Sequence, residues 1–427
     1  MQKNLSLNDF HKFEQKGKYF IYLPTYGFAT EINREDFDLI NSETIMDFIK
    51  TNNVSKRSFK YFKEHGRDLD YGLFLNVANC CNLSCPYCFA AQGTYNKKKG
   101  MMTLKTAKKA IDFIFQKVDA KHDVSIIFFG GEPTLAFNVI KDSTIYIESK
   151  YSSRRYILRI VTNGTLLCRD YVDFIKSHNI ELVISIDGGK RIQDTNRPSL
   201  LPNTSSFDMI SNNLPYVLEK MDFVVARGTY SKFNDSLVDI YKDLLRMGFD
   251  EVDVVPNILD SEENKKINQL FHRMDELTDY IVYYCENNED FPFGIYLGRI
   301  ISVLRGNMEN KIDCGFGKHL FCIDYSGNIY PCHRFTSYDD FIMGNINDEI
   351  IIKNPLMIKP NGSACAKCWN RFSCQHNCSF NNYMIDKSMT KNNITYCAYS
   401  KKLTESVIYL LNSLNNDDLS RIIEEDD

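Results

Sequence analysis

The stretch YGLFLNVANCCNLSCPYC, residues 71–88, carries an apolar strand pattern, YGLFLNV (71–77), directly into cysteines spaced Cys81-x3-Cys85-x2-Cys88. A near-continuous apolar run of this length suits a strand buried in a parallel sheet. The loop at its C-terminal end then presents three thiols together. Working outward, strand patterns recur at VSIIFF (124–129), YILRIV (156–161), ELVISI (181–186), DFVVAR (222–227) and EVDVV (251–255). Between the first two lies a helix capped by Thr103, with Ala107, Ala110, Ile111, Ile114 and Val118 at the three-and-four spacing of one buried face. Comparable helices fill the other gaps. Six βα units in succession imply a parallel sheet with right-handed crossovers, either doubly wound or an incomplete barrel. Both place chemistry at the C-terminal ends of the strands.

Upstream, residues 18–50 read as a strand (KYFIYLP), a turn at Tyr26 and Gly27, a second strand (FATEIN) and a helical stretch through Ile49. Downstream of about residue 305 the βα rhythm stops, and cysteines, glycines and short loops run to Cys397. A last helix, Lys401 to Leu414, follows, and the acidic end Glu424 to Asp427 reads as a tail. The expected segments are therefore 1–70, 71–304 and 305–427, in keeping with a chain of 427 residues that exceeds one compact core.

Hydrophobic content of 44% and charged content of 25% are globular values, and no stretch is long and apolar enough to cross a bilayer. The opening MQKNLSLNDF carries no secretion signal, so a soluble, cytoplasmic protein with no membrane partner is expected. A net charge of −4 without a long basic stripe argues against a nucleic-acid partner. Lys97, Lys98 and Lys99 read as a solvated loop. Fourteen cysteines in such a compartment point to metal ligation rather than disulfides. Four fall between Cys80 and Cys88 and eight between Cys314 and Cys397, with Cys168 and Cys285 apart.

Three thiols leave one position of a four-ligand [4Fe–4S] cluster open, and such an iron is free to bind a substrate or cofactor. Zinc is the competing occupant, but structural zinc prefers paired Cys-x2-Cys units from two places, and no second pair lies nearby. Cys80 reads as a buried thiol. After the second strand comes Gly130-Gly131-Glu132-Pro133; after the third, Thr162-Asn163-Gly164; closing the fourth, Ser185-Ile186-Asp187-Gly188. Together with the Cys-x3-Cys-x2-Cys loop, these segments resemble the radical S-adenosylmethionine superfamily. The resemblance implies a partial (β/α)6, TIM-like barrel of the α/β class. It also implies S-adenosylmethionine as cofactor and an electron donor such as ferredoxin or flavodoxin.

By that resemblance Gly130, Gly131 and Glu132 bind the amino group of the methionine moiety, glycine permitting close approach and Glu132 supplying negative charge. Asn163 lines the cofactor pocket. Ser185 and Asp187 either contact the cofactor or do turn and capping work. Tyr87 sits where relatives place an aromatic residue near the adenine, with core packing as its other reading. Arg197 and Arg227 meet the cofactor carboxylate or substrate, or form salt bridges.

The later cysteines run Cys314-x12-Gly327-x4-Cys332, then Cys365-x2-Cys368-x5-Cys374-x3-Cys378, then Cys397. This resembles the seven-cysteine signature of the SPASM extension of peptide-modifying and protein-modifying enzymes, which implies two auxiliary [4Fe–4S] clusters and three in all. Cys365, Cys368, Cys374 and Cys397 would hold the distal one; Cys314, Cys332 and Cys378 the proximal one. Cys322 either completes the proximal set or is a buried strand thiol in FCIDYSG. Two peptide-directed reactions compete. One matures a ribosomally made precursor peptide, closing a carbon radical onto a cysteine sulfur as a thioether or onto another side chain. The other is anaerobic sulfatase maturation, oxidising cysteine or serine to formylglycine. Sulfatase maturases carry an acidic residue directly after the cysteine matched by Cys332, whereas this chain reads Tyr330-Pro331-Cys332-His333-Arg334-Phe335, which favours the first. His333 either tunes the proximal cluster by hydrogen bonding or is a satisfied polar residue. The N-terminal hairpin and helix read as a leader-peptide recognition element or a barrel cap. A non-catalytic iron–sulfur electron carrier would explain the cysteines but not the GGEP segment.

Overall fold

The structure, a computed structural model, describes residues 9–54, 71–231, 234, 236–261, 264–288, 290–306, 314–348, 365–374, 378–389 and 392–422. The acidic C-terminal tail and residues 55–70 lie outside them. Two compact units emerge, one of residues 66–257 with 314–357, the other of 1–65, 258–313 and 358–427.

The first unit is a mixed α/β body. Six parallel strands, β4 (Tyr71–Ala78), β5 (Val124–Gly130), β6 (Tyr156–Thr162), β7 (Glu181–Ser185), β8 (Val224–Tyr230) and β9 (Glu251–Pro256), lie side by side in chain order. A doubly wound sheet reverses direction at a switch point. Uninterrupted sequential order instead marks the incomplete barrel, and settles the choice that the strand pattern leaves open. Helices α3 (Leu104–Lys117), α4 (Phe137–Lys150), α5 (Arg169–Ser177), α6 (Lys190–Asn196), α7 (Ser206–Lys220) and α8 (Leu237–Arg246) occupy the connections. Thr103 caps α3 by accepting a hydrogen bond from the Thr106 amide, as the sequence pattern requires.

One face of the sheet is covered: Leu73, Leu75, Ile126, Phe128, Leu158, Ile160, Leu182, Ile184, Val224, Ala226, Val252 and Val254 are all buried. The other carries Phe74, Phe129, Val161, Ser185, Arg227 and Asp253, which are half-buried or exposed. Alternation of this kind separates a structural face from a working one.

The sheet does not end where the βα rhythm does. Strand β10 (Leu320–Ile323) pairs in parallel with β4 on its free edge, and β11 (Asn328–Tyr330) and β12 (Gly344–Asn345) continue antiparallel from it. Of the described residues, 314–348 thus group with the barrel strands rather than with a separate domain beginning at 305. β10 was invisible as a barrel strand because no helix precedes it at βα spacing.

The second unit holds a three-stranded antiparallel sheet, β1 (His11–Gln15), β2 (Lys18–Leu23) and β3 (Phe28–Ile32), where the sequence pattern shows only a hairpin. Two short helices, α1 (Arg34–Leu39) and α2 (Ile45–Thr51), follow. Phe10, Ile21, Leu23, Ile40, Ile45 and Ile49 form its apolar centre. Helices α9 (Asn264–Asn287), α10 (Gly294–Arg305), α11 (Ser379–Asp386), α12 (Ile394–Ser413) and α13 (Asn416–Ile422) complete the unit. α12 begins seven residues before the expected Lys401, because Asn393 caps it through the Tyr396 amide. Cys397 therefore lies on its first turn. Among the described residues no helix is long and apolar enough to cross a membrane.

Ile160 is fully buried at the middle of β6. Ile160→Ala should cost about 2–5 kcal/mol, read as a lower midpoint in anaerobic urea unfolding with the slope unchanged.

Candidate cluster and cofactor site

Strand β4 ends at Ala78, and the cysteine loop is tied at once to the turn after β5. The Gly131 amide donates to the Ala78 carbonyl at 2.8 Å and the Glu132 amide to the Cys80 carbonyl at 2.9 Å. Gly130 has φ +139°, and a Cβ there would lie 2.4 Å from the Ala78 oxygen; at Gly131 it would lie 2.2 Å from the Cys80 oxygen. Only glycine permits this approach. The paired glycines hence first serve the cysteine loop itself.

The three loop thiols lie close enough to act on one another electrostatically. Burial pushes the Cys81 thiol up to about 12, helped by the charge of Glu132 and then by Cys85 and Cys88 as neighbours. Cys85 is pushed up to about 11 by burial, with Arg197 pulling the other way. Iron would supply the positive charge that keeps such buried sulfurs as thiolates. Among the described residues, no three cysteine, histidine or carboxylate side chains converge as a single metal ion demands. A cubane makes a different demand, since each thiolate binds its own iron corner. Three neighbouring thiols on one loop fit that demand.

Glu132 is buried, and burial raises its proton affinity. Its carboxylate accepts from the Thr134 amide at 3.0 Å, Thr134 Oγ1 at 2.5 Å, Thr162 Oγ1 at 2.6 Å and the Asn163 amide at 2.7 Å. Much of its charge is therefore spent on pinning β5 to β6. Asn163 Nδ2 donates to Asn82 Oδ1 at 2.9 Å and lies 3.8 Å from Cys81 Sγ. Asn82 in turn donates to Thr165 Oγ1 at 2.8 Å. Asn82 carries no signal in the sequence beyond its place directly after Cys81.

Asp187 is completely buried and accepts four hydrogen bonds. Arg197 Nη2 donates to Oδ1 at 2.9 Å and the Thr229 amide donates to the same oxygen at 2.8 Å, while Asn196 Nδ2 donates to Oδ2 at 3.1 Å and the Tyr87 hydroxyl also donates to Oδ2. This ties the cysteine loop to α6 and to the tops of β7 and β8. The Arg197 guanidinium lies 5.8 Å from the Tyr87 ring centre, so both residues belong to one buried assembly. Ser185 ends β7 on the open face, paired in register with Arg227 of β8. Arg227 is bound to Asp253. These two residues line the open face.

His333 stacks on Phe74 with ring centres 4.1 Å apart, and Phe129 and Phe89 stand at 4.9 and 5.5 Å. Burial, then the charges of Arg334 and Arg227, hold its imidazole down to about 3. A neutral ring in an aromatic wall results. Its Nδ1 lies 3.8 Å from Cys332 Sγ. Cys322 is fully buried in β10, opposite Phe74 and Tyr330, with Thr336 Oγ1 at 3.6 Å. Cys314 is exposed.

In the second unit, burial pushes Cys397 up to about 11, with Cys374, Cys365 and Cys368 all acting on it. Cys365, Cys368 and Cys374 of the 365–374 loop are thus near enough for their charge to act on Cys397 at the start of α12. Asn392 Nδ2 donates to Cys365 Sγ at 3.1 Å. Cys378 stands at the N-cap position of α11, with no side-chain capping bond.

An incomplete parallel barrel with a triple-cysteine loop at the strand tops defines a cluster-dependent α/β enzyme class. Residues 75–219 match the radical SAM superfamily. The cysteine-type anaerobic sulfatase-maturating enzyme of Clostridium novyi is 30% identical over 63% of this chain and 74% of its own length. The radical SAM cyclopropyl synthase TigE of Paramaledivibacter caminithermalis is 25% identical over 69% of this chain and 64% of its own. Among solved structures, anSMEcpe with bound AdoMet superposes with a TM-score of 0.67 at 21% identity, covering 82% of this chain and 97% of that one. Streptococcus suis SuiB bound to precursor peptide SuiA gives a TM-score of 0.53 at 16% identity, over 91% and 98%. The chain belongs to the radical SAM superfamily. It is a radical SAM enzyme that uses S-adenosylmethionine and a [4Fe–4S] cluster.

Gly131→Ala should push the Cys80 carbonyl away and lower the iron content of the first cluster at least several-fold, measured on anaerobically reconstituted protein. Asp187→Ala leaves the Arg197 charge buried and unpaired, a cost of about 3–5 kcal/mol. Anaerobic thermal denaturation should show it as a large drop in melting temperature, and an unchanged melt would refute the role of Asp187 as a structural knot.

Proposed function

We propose that this enzyme matures a ribosomally made precursor peptide, joining a cysteine sulfur to a carbon as a thioether or a related crosslink. The observation that carries the reading is the wall beside Cys332. His333 lies packed among Phe74, Phe89 and Phe129, at the position where the sulfatase maturases carry an acidic residue. Such a wall suits an apolar side chain from which hydrogen is removed, and it offers no carboxylate to deprotonate a substrate alcohol or thiol.

Cys81, Cys85 and Cys88 would hold the first cluster. Gly130, Gly131 and Glu132 would receive the methionine amine, Asn163 and Ser185 would line the pocket, and Asp187 would orient Tyr87 and Arg197. When bound, the reduced cluster and S-adenosylmethionine supply a 5′-deoxyadenosyl radical that abstracts hydrogen from an unactivated carbon. The chain's part is to position the peptide on the open face and exclude water. Cys365, Cys368, Cys374 and Cys397 would hold the distal auxiliary cluster, and Cys314, Cys332 and Cys378 the proximal one, giving three. Burial in β10 and the contact with Thr336 favour Cys322 as a strand thiol, which leaves the proximal cluster an iron for a substrate thiolate. A ferredoxin or flavodoxin would supply electrons. Against a leader-binding role for residues 1–70, the Glu31 amide on edge strand β3 already donates to Asn412 Oδ1 at 3.0 Å.

Sulfatase maturation is the second reading, favoured by the identity and coverage of the Clostridium novyi enzyme. Anaerobic incubation of the reduced enzyme with S-adenosylmethionine and a cysteine-bearing precursor peptide encoded beside it separates the two. A product lighter by two hydrogens, with one thiol lost per crosslink, is expected. An aldehyde-bearing product would establish formylglycine formation instead. The combined Cys81→Ala, Cys85→Ala and Cys88→Ala variant should cleave no cofactor.

A further inference from the structure

Arg299, on α10, is buried to 9% exposure. Its Nη1 donates to the Ser373 carbonyl, to Ser400 Oγ at 3.2 Å and to Thr404 Oγ1 at 3.1 Å. All three acceptors are neutral, and among the described residues no carboxylate pairs with it. A guanidinium does not shed its proton inside a protein. Burying an unpaired charge is expensive, so an arginine in this position calls for a compensating anion.

Its three acceptors mark the place of that anion. Ser373 directly precedes Cys374, and Ser400 lies three residues beyond Cys397, within one turn of α12. The same framework is closed by Asn370, which donates to Ser400 Oγ at 3.1 Å and accepts from Thr404 Oγ1 at 2.8 Å. Tyr396, between them, feels both the Cys374 thiol and the Arg299 charge. Arg299 therefore underlies both segments that carry the distal cysteines. Two other described cations stand near these cysteines: Arg371 donates to the Cys368 carbonyl at 3.0 Å but its charge is paired with Asp9 at 2.7 Å, and Lys401, which acts on Cys397, is half-exposed and screened by water.

A [4Fe–4S] cluster held by four thiolates is a net anion in both of its working oxidation states, and more so when reduced. We propose that Arg299 is the built-in counter-cation of the cluster held by Cys365, Cys368, Cys374 and Cys397. It lowers the energy of the reduced state and so raises the reduction potential. In the maturase this favours the distal cluster as an acceptor for the electron released when the substrate bond closes. The proposal rests on the three-cluster reading above and deepens it.

The test uses full-length protein carrying Cys81→Ala, Cys85→Ala, Cys88→Ala and Cys332→Ala, so that only the distal cluster loads, at roughly four irons per chain. Arg299→Met, Arg299→Lys and Thr404→Val are compared in this background by iron content and by redox titration followed by EPR. Arg299→Met should shift the one-electron reduction equilibrium tenfold or more toward the oxidised form, a midpoint lower by about 59 mV. Arg299→Lys should keep the parent midpoint, and so should Thr404→Val, which removes a hydrogen bond but no charge. An unchanged midpoint in Arg299→Met at full iron content overturns the proposal. If Arg299→Met loads no iron, retained iron and midpoint in Arg299→Lys and Thr404→Val support a charge requirement. Loss of iron in those two as well makes Arg299 a hydrogen-bonding scaffold and overturns it. A background protein that loads no iron removes the distal-cluster reading itself, and the proposal with it.

Discussion

Two glycines lie so close to the carbonyl groups opening the cysteine loop that no side chain fits between them. With Cβ positions 2.4 and 2.2 Å from the Ala78 and Cys80 oxygens, the Gly130–Gly131 turn acts as a mould for the loop rather than a neighbour of it. The hydrogen bonds from the Gly131 and Glu132 amides fix where β4 stops and where Cys81 begins. Placement of the three thiols follows from backbone contact, which is stiffer than any side-chain contact could make it.

Around that contact, two buried carboxylates act as knots. Glu132 gathers Thr134, Thr162 and Asn163; Asp187 gathers Tyr87, Asn196, Arg197 and Thr229. Each joins the tops of neighbouring parallel strands, where a sheet has no hydrogen bonds of its own left to hold the loops. Burial of a charge is tolerable here because every acceptor site is nearly filled. Residues that the motif assigns to cofactor binding are thus also the residues that hold the pocket open, and loss of either knot would disturb both roles together.

Much of this was legible in the sequence. The six barrel strands announce themselves by unbroken apolar runs at regular spacing, because both faces of a central parallel strand meet protein at the covered side and aromatic or charged walls at the other. Three things were not legible. β1 (HKFEQ) is too polar to read as a strand, and β10 has no βα spacing to reveal it, so the barrel sheet extends into the cysteine-rich part of the chain. The start of α12 at Ile394 is hidden as well, since the cap at Asn393 lies among polar residues. In the site, spacing identified cysteines, glycines and acids but not their partners: Asn82, Asn196 and Thr229 have no periodicity, and only the fold brings them to Asn163 and Asp187. Arg299 was equally silent, an arginine within an amphipathic helix that reads as surface until its burial is seen.

This chain is a radical SAM enzyme whose sequence carries two cysteine sets beyond the first. Iron and acid-labile sulfide counted on anaerobically reconstituted full-length protein test most directly whether those sets hold clusters. Three cubanes predict roughly twelve irons and twelve sulfides per chain. A count of about four of each would leave the first loop as the sole cluster site and contradict the assignment of the later cysteines.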